Sequence, residues 1–256
     1  MWEFENAYNL RLLKEDGYLV FKNFFAKDLI QNILQDAKRI FEHQFLNHGY
    51  ELNCFEANMY RLFREDQECF INCGKHAQHL VSLHRLGVHN KLHRQLEELN
   101  LTSPSICTRP TMFFNSKHLA IKDIYHTMPP HQDIYSTQGS SDSVVVWLPL
   151  IDMDRSIGAL EIVPKSHTLG VLVSGVEEGF GLVDGFKNED FKSIELSVGD
   201  ILIFSAFLVH RSGANSTESI RWSAHLRYNN LDDPDFINRK FPHPYIYRPV
   251  SKGAQL

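Results

Sequence analysis

Three residues with metal-binding side chains, His131, Asp133 and His210, have a spacing that suits a single ion. Only one residue separates His131 from Asp133, so on an extended chain both side chains project to the same face. His210 follows Asp133 by 77 residues and would supply a third ligand from a distant strand. Two histidines and one carboxylate on one face of an octahedron leave three positions open, which suits iron(II) oxygen chemistry. The spacing therefore predicts a mononuclear iron(II) site.

The context of His210 adds specificity, because a short motif such as His-x-Asp recurs by chance in a chain with 14 histidines. Arg221 lies eleven residues after His210 and opens a segment that alternates between polar and apolar residues. An arginine on the polar face can grip the distal carboxylate of a dicarboxylate with two charge-assisted hydrogen bonds. The polar face consists of Arg221, Ser223, His225 and Arg227, and the apolar face of Trp222, Ala224, Leu226 and Tyr228.

Around these residues the sequence resembles the phytanoyl-CoA dioxygenase family of iron(II)/2-oxoglutarate oxygenases. The similarity extends over most of the chain, and the motifs occur in the family's order at approximately its spacing. The motifs that carry it are 15–20 (Glu-Asp-Gly-Tyr-Leu-Val), 130–133 (Pro-His-Gln-Asp), 147–150 (Trp-Leu-Pro-Leu), 158–161 (Gly-Ala-Leu-Glu), 163–167 (Val-Pro-Lys-Ser-His), 199–200 (Gly-Asp), 210–215 (His-Arg-Ser-Gly-Ala-Asn) and Arg221.

The resemblance implies a double-stranded β-helix, or jelly-roll, core with iron(II) held at one end by His131, Asp133 and His210. It also implies that 2-oxoglutarate chelates the iron, that dioxygen is the second co-substrate, and that succinate and carbon dioxide are released. By position, Arg221 resembles the arginine that binds the distal carboxylate of 2-oxoglutarate. The other positions that the resemblance implies for the co-substrate pocket are Ser212, Gln132, Trp147 and Asn115.

Two residues depart from the family's pattern. Lys165 stands where glycine is usual before Ser-His, and Arg211 stands where a small residue is usual after the distal histidine. Arg211 either points outward as a solvated charge, which we favour, or inward to a substrate carboxylate. Halogenating members of the family have a small residue in place of the carboxylate ligand, whereas this chain has Asp133. Hydroxylation or a related oxidation is therefore favoured over halogenation.

The resemblance predicts a non-haem iron(II)/2-oxoglutarate-dependent dioxygenase that hydroxylates a small organic metabolite or natural-product intermediate. Two other functions stay open. A cupin-type metal-dependent isomerase or dioxygenase would share the jelly roll without needing Arg221, and a non-catalytic jelly-roll binding protein would not need the metal ligands. Desaturation and ring formation remain open beside hydroxylation, as does the oligomeric state. His126 and His225 either face the site or are satisfied core residues.

The elements that must position these side chains form an α+β arrangement, with helices first and strands afterwards. Apolar residues between Lys27 and Phe41 follow the helical period, and a second helical zone runs from about Glu56 to Leu99 with breaks near Gly74 and Gly87. After Pro110, short strands alternate with turn residues, which favours an antiparallel sandwich or barrel. The predicted strands are 18–21, 111–114, 144–150, 160–163, 194–196, 201–204 and 222–228.

We predict a single oxygenase domain. Its parts are a mainly helical support (1–105), the jelly-roll core (106–230) and a C-terminal tail (231–256). The glycine-rich segment 170–192 is predicted to be a mobile excursion between strands. Together with segments 112–125, 136–142 and 229–256, it is expected to surround the mouth of the substrate pocket.

Composition excludes several classes of protein. With 256 residues, 43% hydrophobic and 22% charged, the chain can bury a substantial core and is neither disordered nor collagen-like. A net charge of -5 gives no reason to expect nucleic acid as a partner, and the longest apolar run, 144–151, is far below the roughly 20 residues that cross a bilayer. The four cysteines are expected to be reduced thiols, and the N-terminus lacks a signal-peptide pattern. We therefore expect a cytoplasmic protein that binds a small-molecule substrate.

Overall fold

The computed structural model describes residues 2–119, 127–172, 174–177 and 180–242. Its first hundred residues are mainly helical, as predicted. The first helix ends at Asp16, where Gly17 adopts a left-handed conformation (φ +84°) and donates its N–H to the carbonyl of Leu13 at 3.0 Å. The helices are α1 (Trp2–Asp16), α2 (Lys27–Asn47), α3 (Phe55–Glu65), α4 (Gln67–Ala77), α5 (Val81–Gly87), α6 (Asn90–Glu98), α7 (Asp133–Thr137) and α8 (Pro234–Asn238).

The strands form two antiparallel sheets, with the orders β1-β9-β4-β11-β2 and β6-β7-β3-β10-β5-β8. We call them the first and the second sheet. The predicted strand 18–21 is confirmed and lies at one edge of the first sheet. The strands are β1 (Tyr18–Phe21), β2 (Pro104–Asn115), β3 (His131–Gln132), β4 (Val144–Pro149), β5 (Leu160–Ile162), β6 (Gly175–Glu177), β7 (Phe180–Leu182), β8 (Lys192–Ile194), β9 (Ile201–Ser205), β10 (His210–Ser212) and β11 (Arg221–Asn230).

Two buried apolar clusters show how the layers pack. Alternate residues of β4 belong to different clusters, because successive side chains on a strand point to opposite faces. Val145 and Trp147 pack with residues of β5 and β8 between the two sheets, whereas Val146 and Leu148 pack against the helices. The chain therefore has the predicted α+β fold, in which a jelly-roll core is braced on its first sheet by the N-terminal helices.

The helix α2 is the main brace, and its burial follows the predicted period. Ile30, Ile33, Ala37 and Phe41 are completely buried, and Phe41 contacts the ring of Trp222 edge-on at a centroid distance of 6.2 Å. Such burial contributes on the order of 1.5–3 kcal/mol for each large side chain. Apolar residues on the outer face of β11 thus hold the strand whose inner face carries Arg221.

Three predictions about local structure need correction. The break near Gly74 is wrong, because Gly74 is buried inside α4 and the helical zone is instead interrupted at Asp66 and between α4 and α5. The segment 170–192 is more than an excursion: it contributes β6, β7 and the start of β8 to the second sheet. The chain is also extended only over His131 and Gln132, since Asp133 is the first residue of α7.

Lys165, one of the two departures from the family pattern, adopts a left-handed backbone conformation with φ +68°. Glycine adopts this conformation without steric cost, which explains why it is usual at this place. The lysine Nζ lies 3.8 Å from a carboxylate oxygen of Asp16, and the Lys165 N–H donates to the Asp16 carbonyl at 2.9 Å. The turn after β5 is therefore attached to the end of α1.

Gly158 is a position where only glycine fits. It has φ +85°, and a Cβ placed there would lie 2.6 Å from the carbonyl oxygen of Gly213, just beyond β10. We expect Gly158→Ala to lower the free energy of unfolding by about 3 kcal/mol, because backbone strain and a backbone clash add together. Gly49→Ala is the matched control: Gly49 has φ +72°, but no described atom lies within 4 Å of the place that a Cβ would take. It should cost about 1 kcal/mol. Equal losses in urea titrations of the two variants would contradict the close approach.

Candidate metal centre

His131, Asp133 and His210 come together because β3 and β10 are neighbours in the second sheet. His131 and His210 are direct partners in that pairing, and their ring centroids lie 4.1 Å apart. Asp133 follows β3 at the first position of α7. All three side chains are buried, and their ligand atoms lie within 4.8 Å of one another.

The orientation of both imidazole rings is fixed by backbone carbonyls. His131 Nδ1 lies 2.8 Å from the carbonyl oxygen of Pro129, and His210 Nδ1 lies 2.9 Å from that of Leu208. Because a carbonyl oxygen only accepts, each Nδ1 carries the proton and each Nε2 offers its lone pair. His131 Nε2 is 3.9 Å from Asp133 Oδ1. Two neutral imidazole nitrogens and one carboxylate oxygen therefore converge, a donor set that fits iron(II).

Electrostatics keeps these groups in the protonation states that bind a cation. Burial lowers the pKa of His210 to about 3 and also lowers the pKa of His131, so both rings are neutral near pH 7. Burial by itself would raise the pKa of Asp133, but the charge and hydrogen bonds of Arg227, together with the neighbouring rings of His210 and His131, outweigh it and hold this pKa well below its usual range. The carboxylate is ionised without help from a metal.

On the facing sheet, Arg221 is a buried cation without an anion. Its side chain is 1% exposed, and its Nε and Nη1 atoms have no hydrogen-bond partner among the described residues. The guanidinium carbon lies 5.8 Å from the ring centroid of Trp147 and 5.9 Å from that of Phe113. Burial lowers its pKa to about 10, so it remains charged. An unpaired buried charge is costly, and a carboxylate would compensate it.

Further unpartnered polar atoms lie beside Arg221. Within the described part of the chain, seven of the twelve buried side-chain atoms without a partner belong to the inner face of the first sheet. Such atoms are rare in folded proteins, so a cluster of them indicates a place where a polar ligand binds. They are Asn115 Oδ1, Trp147 Nε1, Arg221 Nε and Nη1, Ser223 Oγ, and both ring nitrogens of His225. We call the residues of this set the inner polar row.

Comparison with known proteins agrees with this geometry. The model of the family described as phytanoyl-CoA dioxygenase (PhyH) matches residues 13–223, a span that contains the three clustered side chains and Arg221. The chain belongs to the phytanoyl-CoA dioxygenase family. Among curated members, the 1-deoxypentalenic acid 11-beta-hydroxylase of Streptomyces exfoliatus is 29% identical over 138 residues, which cover 49% of this chain and 49% of that enzyme.

Two other similar proteins match a larger share of this chain. The peroxisomal phytanoyl-CoA dioxygenase of Rattus norvegicus is 22% identical over 245 residues, or 87% of this chain and 68% of the rat protein. The structure of the epimerase SnoN in complex with Fe3+, alpha ketoglutarate and nogalamycin RO superimposes with a TM-score of 0.63 at 20% identity, covering 99% of this chain and 96% of SnoN. At that identity, the superposition supports the fold alone.

Three of the residues implied for the co-substrate pocket are Trp147, Asn115 and Ser212, and the structure places them on strands of the two sheets. Trp147 and Asn115 belong to the inner polar row, and Asn115 is the direct strand partner of Arg221. Ser212 is buried in β10, two residues after His210 and therefore on the same face of the strand. Their roles in binding remain predictions.

Gln132 does not fit the role that the resemblance implied. Its neighbours His131 and Asp133 turn toward the cluster, whereas its amide is used elsewhere. Nε2 donates to the carbonyls of Gly170 and Phe207 at 2.8 and 2.6 Å, and Oε1 accepts from the N–H of Leu172 at 2.7 Å. The prediction is corrected: Gln132 fastens the 170–172 segment to the metal motif, because adjacent residues on a strand face opposite sides.

The remaining candidates are settled by their contacts. Arg211 points outward, as favoured, where its Nε pairs with Glu161 at 2.6 Å and its guanidinium stacks on Phe191. His126 lies outside the described residues.

A second group of side chains that could bind a metal consists of His48, Asp66 and Cys69. Helix capping accounts for this group, because Asp66 accepts from the Cys69 N–H at the start of α4 and its other oxygen pairs with His48.

Arg227 is the important residue that sequence reasoning did not single out. Its Nε donates to Asp133 Oδ2 at 2.9 Å, its Nη2 lies 3.3 Å from Asp133 Oδ1, and its Nη1 donates to Thr111 Oγ1 at 3.2 Å. The shorter bond holds Oδ2, while Oδ1 is the oxygen nearest His131 Nε2. The only signal in the sequence was the polar face of β11, which Arg227 shares with Arg221.

We expect Arg227→Gln to weaken iron(II) binding about tenfold to a hundredfold, the usual loss when a residue that orients a metal ligand is removed. Anaerobic iron(II) titration of the two proteins measures this. Arg61→Gln is the matched control, because Arg61 makes the same kind of Nε–carboxylate pair with Glu65 at 2.9 Å on the surface. Unchanged affinity in Arg227→Gln would show that Arg227 does not orient Asp133.

Burial of neutral histidines also predicts an acid-sensitive metal-free protein. Unfolded histidines take up protons below pH 6.5, whereas His210 stays neutral in the folded protein down to about pH 3. The stability that this residue contributes is therefore present above pH 6.5 and is lost as the pH falls. Each such histidine lowers the free energy of unfolding by up to about 1.4 kcal/mol per pH unit.

Burial also lowers the pKa of His225 well below its usual value, so His225→Phe should flatten this pH dependence between pH 6.5 and 5. The substitution removes a group that takes up a proton on unfolding. Urea titrations of metal-free protein at several pH values measure the slope, and identical slopes in wild type and His225→Phe would contradict the burial of a neutral imidazole.

Proposed function

We propose that this chain is a single-domain iron(II)/2-oxoglutarate-dependent oxygenase that hydroxylates a small organic metabolite or natural-product intermediate and forms succinate and carbon dioxide. His131, Asp133 and His210 would hold the iron, and Arg221 would bind the distal carboxylate of 2-oxoglutarate with help from Ser212. Family membership supports the reaction class, and the geometry of the cluster supports the assignment of the residues.

The observation that carries the proposal is that a cluster of metal-binding side chains and a buried arginine without an anion lie on facing sheets of one core. Two imidazole nitrogens and one carboxylate oxygen converge at the second sheet. Arg221 faces them from the first sheet, and its Nε and Nη1 have no hydrogen-bond partner among the described residues. A dicarboxylate with a 2-oxo acid group at one end satisfies both, because it chelates a metal and neutralises the guanidinium. A cupin-type enzyme or a non-catalytic binding protein would leave Arg221 buried without an anion.

Bound iron(II) would supply Lewis-acid and redox chemistry toward dioxygen, and the protein supplies the rest. His131 and His210 present neutral donors in fixed orientations. Arg227 helps to keep Asp133 ionised and fixes the orientation of its carboxylate through hydrogen bonds to both oxygens, with Oδ1 nearest to His131 Nε2. Arg221 provides binding energy away from the reacting carbon. Burial of the whole set excludes water and makes each of these charges more effective.

A polar small molecule is the substrate class that the surroundings favour. A cavity of about 620 Å³ lies beside α7, the helix that begins with Asp133, and it joins three of the segments expected around the pocket mouth. Its lining includes Tyr135, Ser136, Gln138, Asp235 and Arg239. The relative from Streptomyces exfoliatus is named as a hydroxylase of 1-deoxypentalenic acid, which agrees with hydroxylation of a small organic acid.

The cell compartment and the other partners follow from less direct observations. Within the described residues, no helix has the length and apolar content required to cross a bilayer. Cys54, Cys69 and Cys73 carry free thiols, which agrees with a reducing compartment, and we propose the cytoplasm. The net charge of -5 supports the prediction that nucleic acid is not a partner.

The proposal predicts that the protein converts 2-oxoglutarate to succinate when iron(II) and dioxygen are supplied, and that Arg221→Ala lowers kcat/KM for 2-oxoglutarate at least a hundredfold. The expected loss reflects a charge-assisted bidentate contact in a buried site. Succinate formation, with and without candidate substrates, is the measurement. Arg211→Ala is the matched control, because Arg211 lies on β10 but points outward to Glu161.

Three outcomes would contradict the proposal or one of its assignments. Turnover of a substrate at full rate without 2-oxoglutarate would favour a cupin-type isomerase or dioxygenase. Failure of the protein to bind iron(II) in an anaerobic titration would favour a non-catalytic binding protein. Equal losses in Arg221→Ala and Arg211→Ala would show that Arg221 has no special part in co-substrate binding.

A further inference from the structure

His225 lies in the middle of β11, and its ring has no hydrogen-bond partner among the described residues. Both ring nitrogens are shielded from solvent, and neither has a partner among the residues that the structure describes. A neutral imidazole has one N–H donor and one acceptor nitrogen, so two hydrogen bonds are missing. Unsatisfied buried polar groups of this kind are destabilising. A histidine with a purely structural role is expected to have hydrogen-bond partners. Without them, a phenylalanine would pack at this position with a smaller loss of folding free energy.

Within the inner polar row, His225 lies between Arg221 and the end of β11 where Arg227 contacts Asp133. On the polar face of β11 it stands four residues after Arg221 and two before Arg227. Positions four apart on a strand are separated by about 13 Å, a span that the long Arg221 side chain and a five-carbon dicarboxylate would cover together. The charges that act on its ring come from both directions, from Arg227 and Asp133 on one side and from Arg221 on the other.

None of the described side chains around His225 forms a hydrogen bond with its ring. Its strand neighbours are Thr111 on β2 and Trp147 on β4. The Trp147 ring lies edge-on at a centroid distance of 6.4 Å, and Phe113 lies at 6.5 Å. Aromatic walls fix the plane of the imidazole but do not satisfy its nitrogens. Thr111 Oγ1 already accepts from Arg227.

We infer that His225 is a further co-substrate-binding residue, which donates its ring N–H to the 2-oxo acid end of 2-oxoglutarate. This inference rests on the proposed function. The distal carboxylate is provided for by the two unpaired nitrogens of Arg221, whereas the 2-oxo acid end carries carboxylate oxygens that a metal alone does not satisfy. A donor placed toward Asp133 would hold that end of the co-substrate in one orientation.

A pair of ligands separates the two ends of the co-substrate. Both 2-oxoglutarate and 2-oxopentanoate have a 2-oxo acid group, but only 2-oxoglutarate has the distal carboxylate. Each is titrated under argon into protein loaded with iron(II), and the visible charge-transfer absorption of the chelated 2-oxo acid gives the Kd. The proteins are wild type, His225→Phe, His225→Gln and Arg221→Ala.

We expect His225→Phe to raise the Kd of both ligands by a similar factor of about ten or more, as for the loss of a hydrogen bond to a charged group. Arg221→Ala should raise the Kd of 2-oxoglutarate alone, by about a hundredfold. His225→Gln keeps a donor and should recover part of the affinity. In thermal unfolding without metal, His225→Phe should be at least as stable as wild type, because an unsatisfied polar group has been removed. A structural role for His225 predicts the opposite change in Tm.

The outcomes discriminate between the inference and the proposed function. If wild-type protein with iron(II) binds neither 2-oxo acid, the proposed function fails. If wild type binds 2-oxoglutarate but His225→Phe binds both ligands as tightly, only the assignment of His225 fails. A loss confined to 2-oxoglutarate in His225→Phe would place the residue at the distal carboxylate and would also overturn the inference, as would a lower Tm with unchanged Kd values.

Discussion

The site depends on the pairing of two short strands, because the register of β3 on β10 puts His131 directly opposite His210. A slip of one residue would turn Gln132 toward the cluster and remove His131 from it. The pairing is supported from several sides: β7 continues the sheet beyond β3, β5 continues it beyond β10, and the Gly158–Gly213 approach closes the turn after β10. Backbone carbonyls then set the orientation of both rings. The donors are therefore arranged before any metal arrives, which is the condition for specific binding.

The opposite sheet carries the complementary feature, a polar face on a strand whose other face is part of the main apolar core. Trp222, Ala224, Leu226 and Tyr228 pack against the helices, and this packing secures β11 although its inner side contains unsatisfied groups. Folding alone gains nothing from Arg221 or His225. Their burial lowers stability, and a dianionic ligand that binds the folded protein restores it. The helices contribute to function by holding a strand that would otherwise be unfavourable.

Much of this arrangement was predictable from the chain, and the failures have physical causes. His131, Asp133, His210 and Arg221 were found because their types and spacing, with the motifs around them, match one chemistry. Arg227 was not singled out, since its partner Asp133 is 94 residues away and no local pattern connects them. Gln132 was misassigned because its place in a motif did not reveal its side of the strand. The break at Gly74 failed because tertiary packing overrides the weak helix propensity of glycine.

The central claim is that one chain holds a metal and a dicarboxylate in a single core, each completing the other's site. Equilibrium dialysis under argon with iron(II) and labelled 2-oxoglutarate tests it most directly. The account predicts one iron(II) per chain and one 2-oxoglutarate per iron, with 2-oxoglutarate bound weakly when iron is omitted or when His210→Ala replaces wild type. Binding of iron(II) without any uptake of 2-oxoglutarate, or uptake of 2-oxoglutarate that is indifferent to iron, would contradict it.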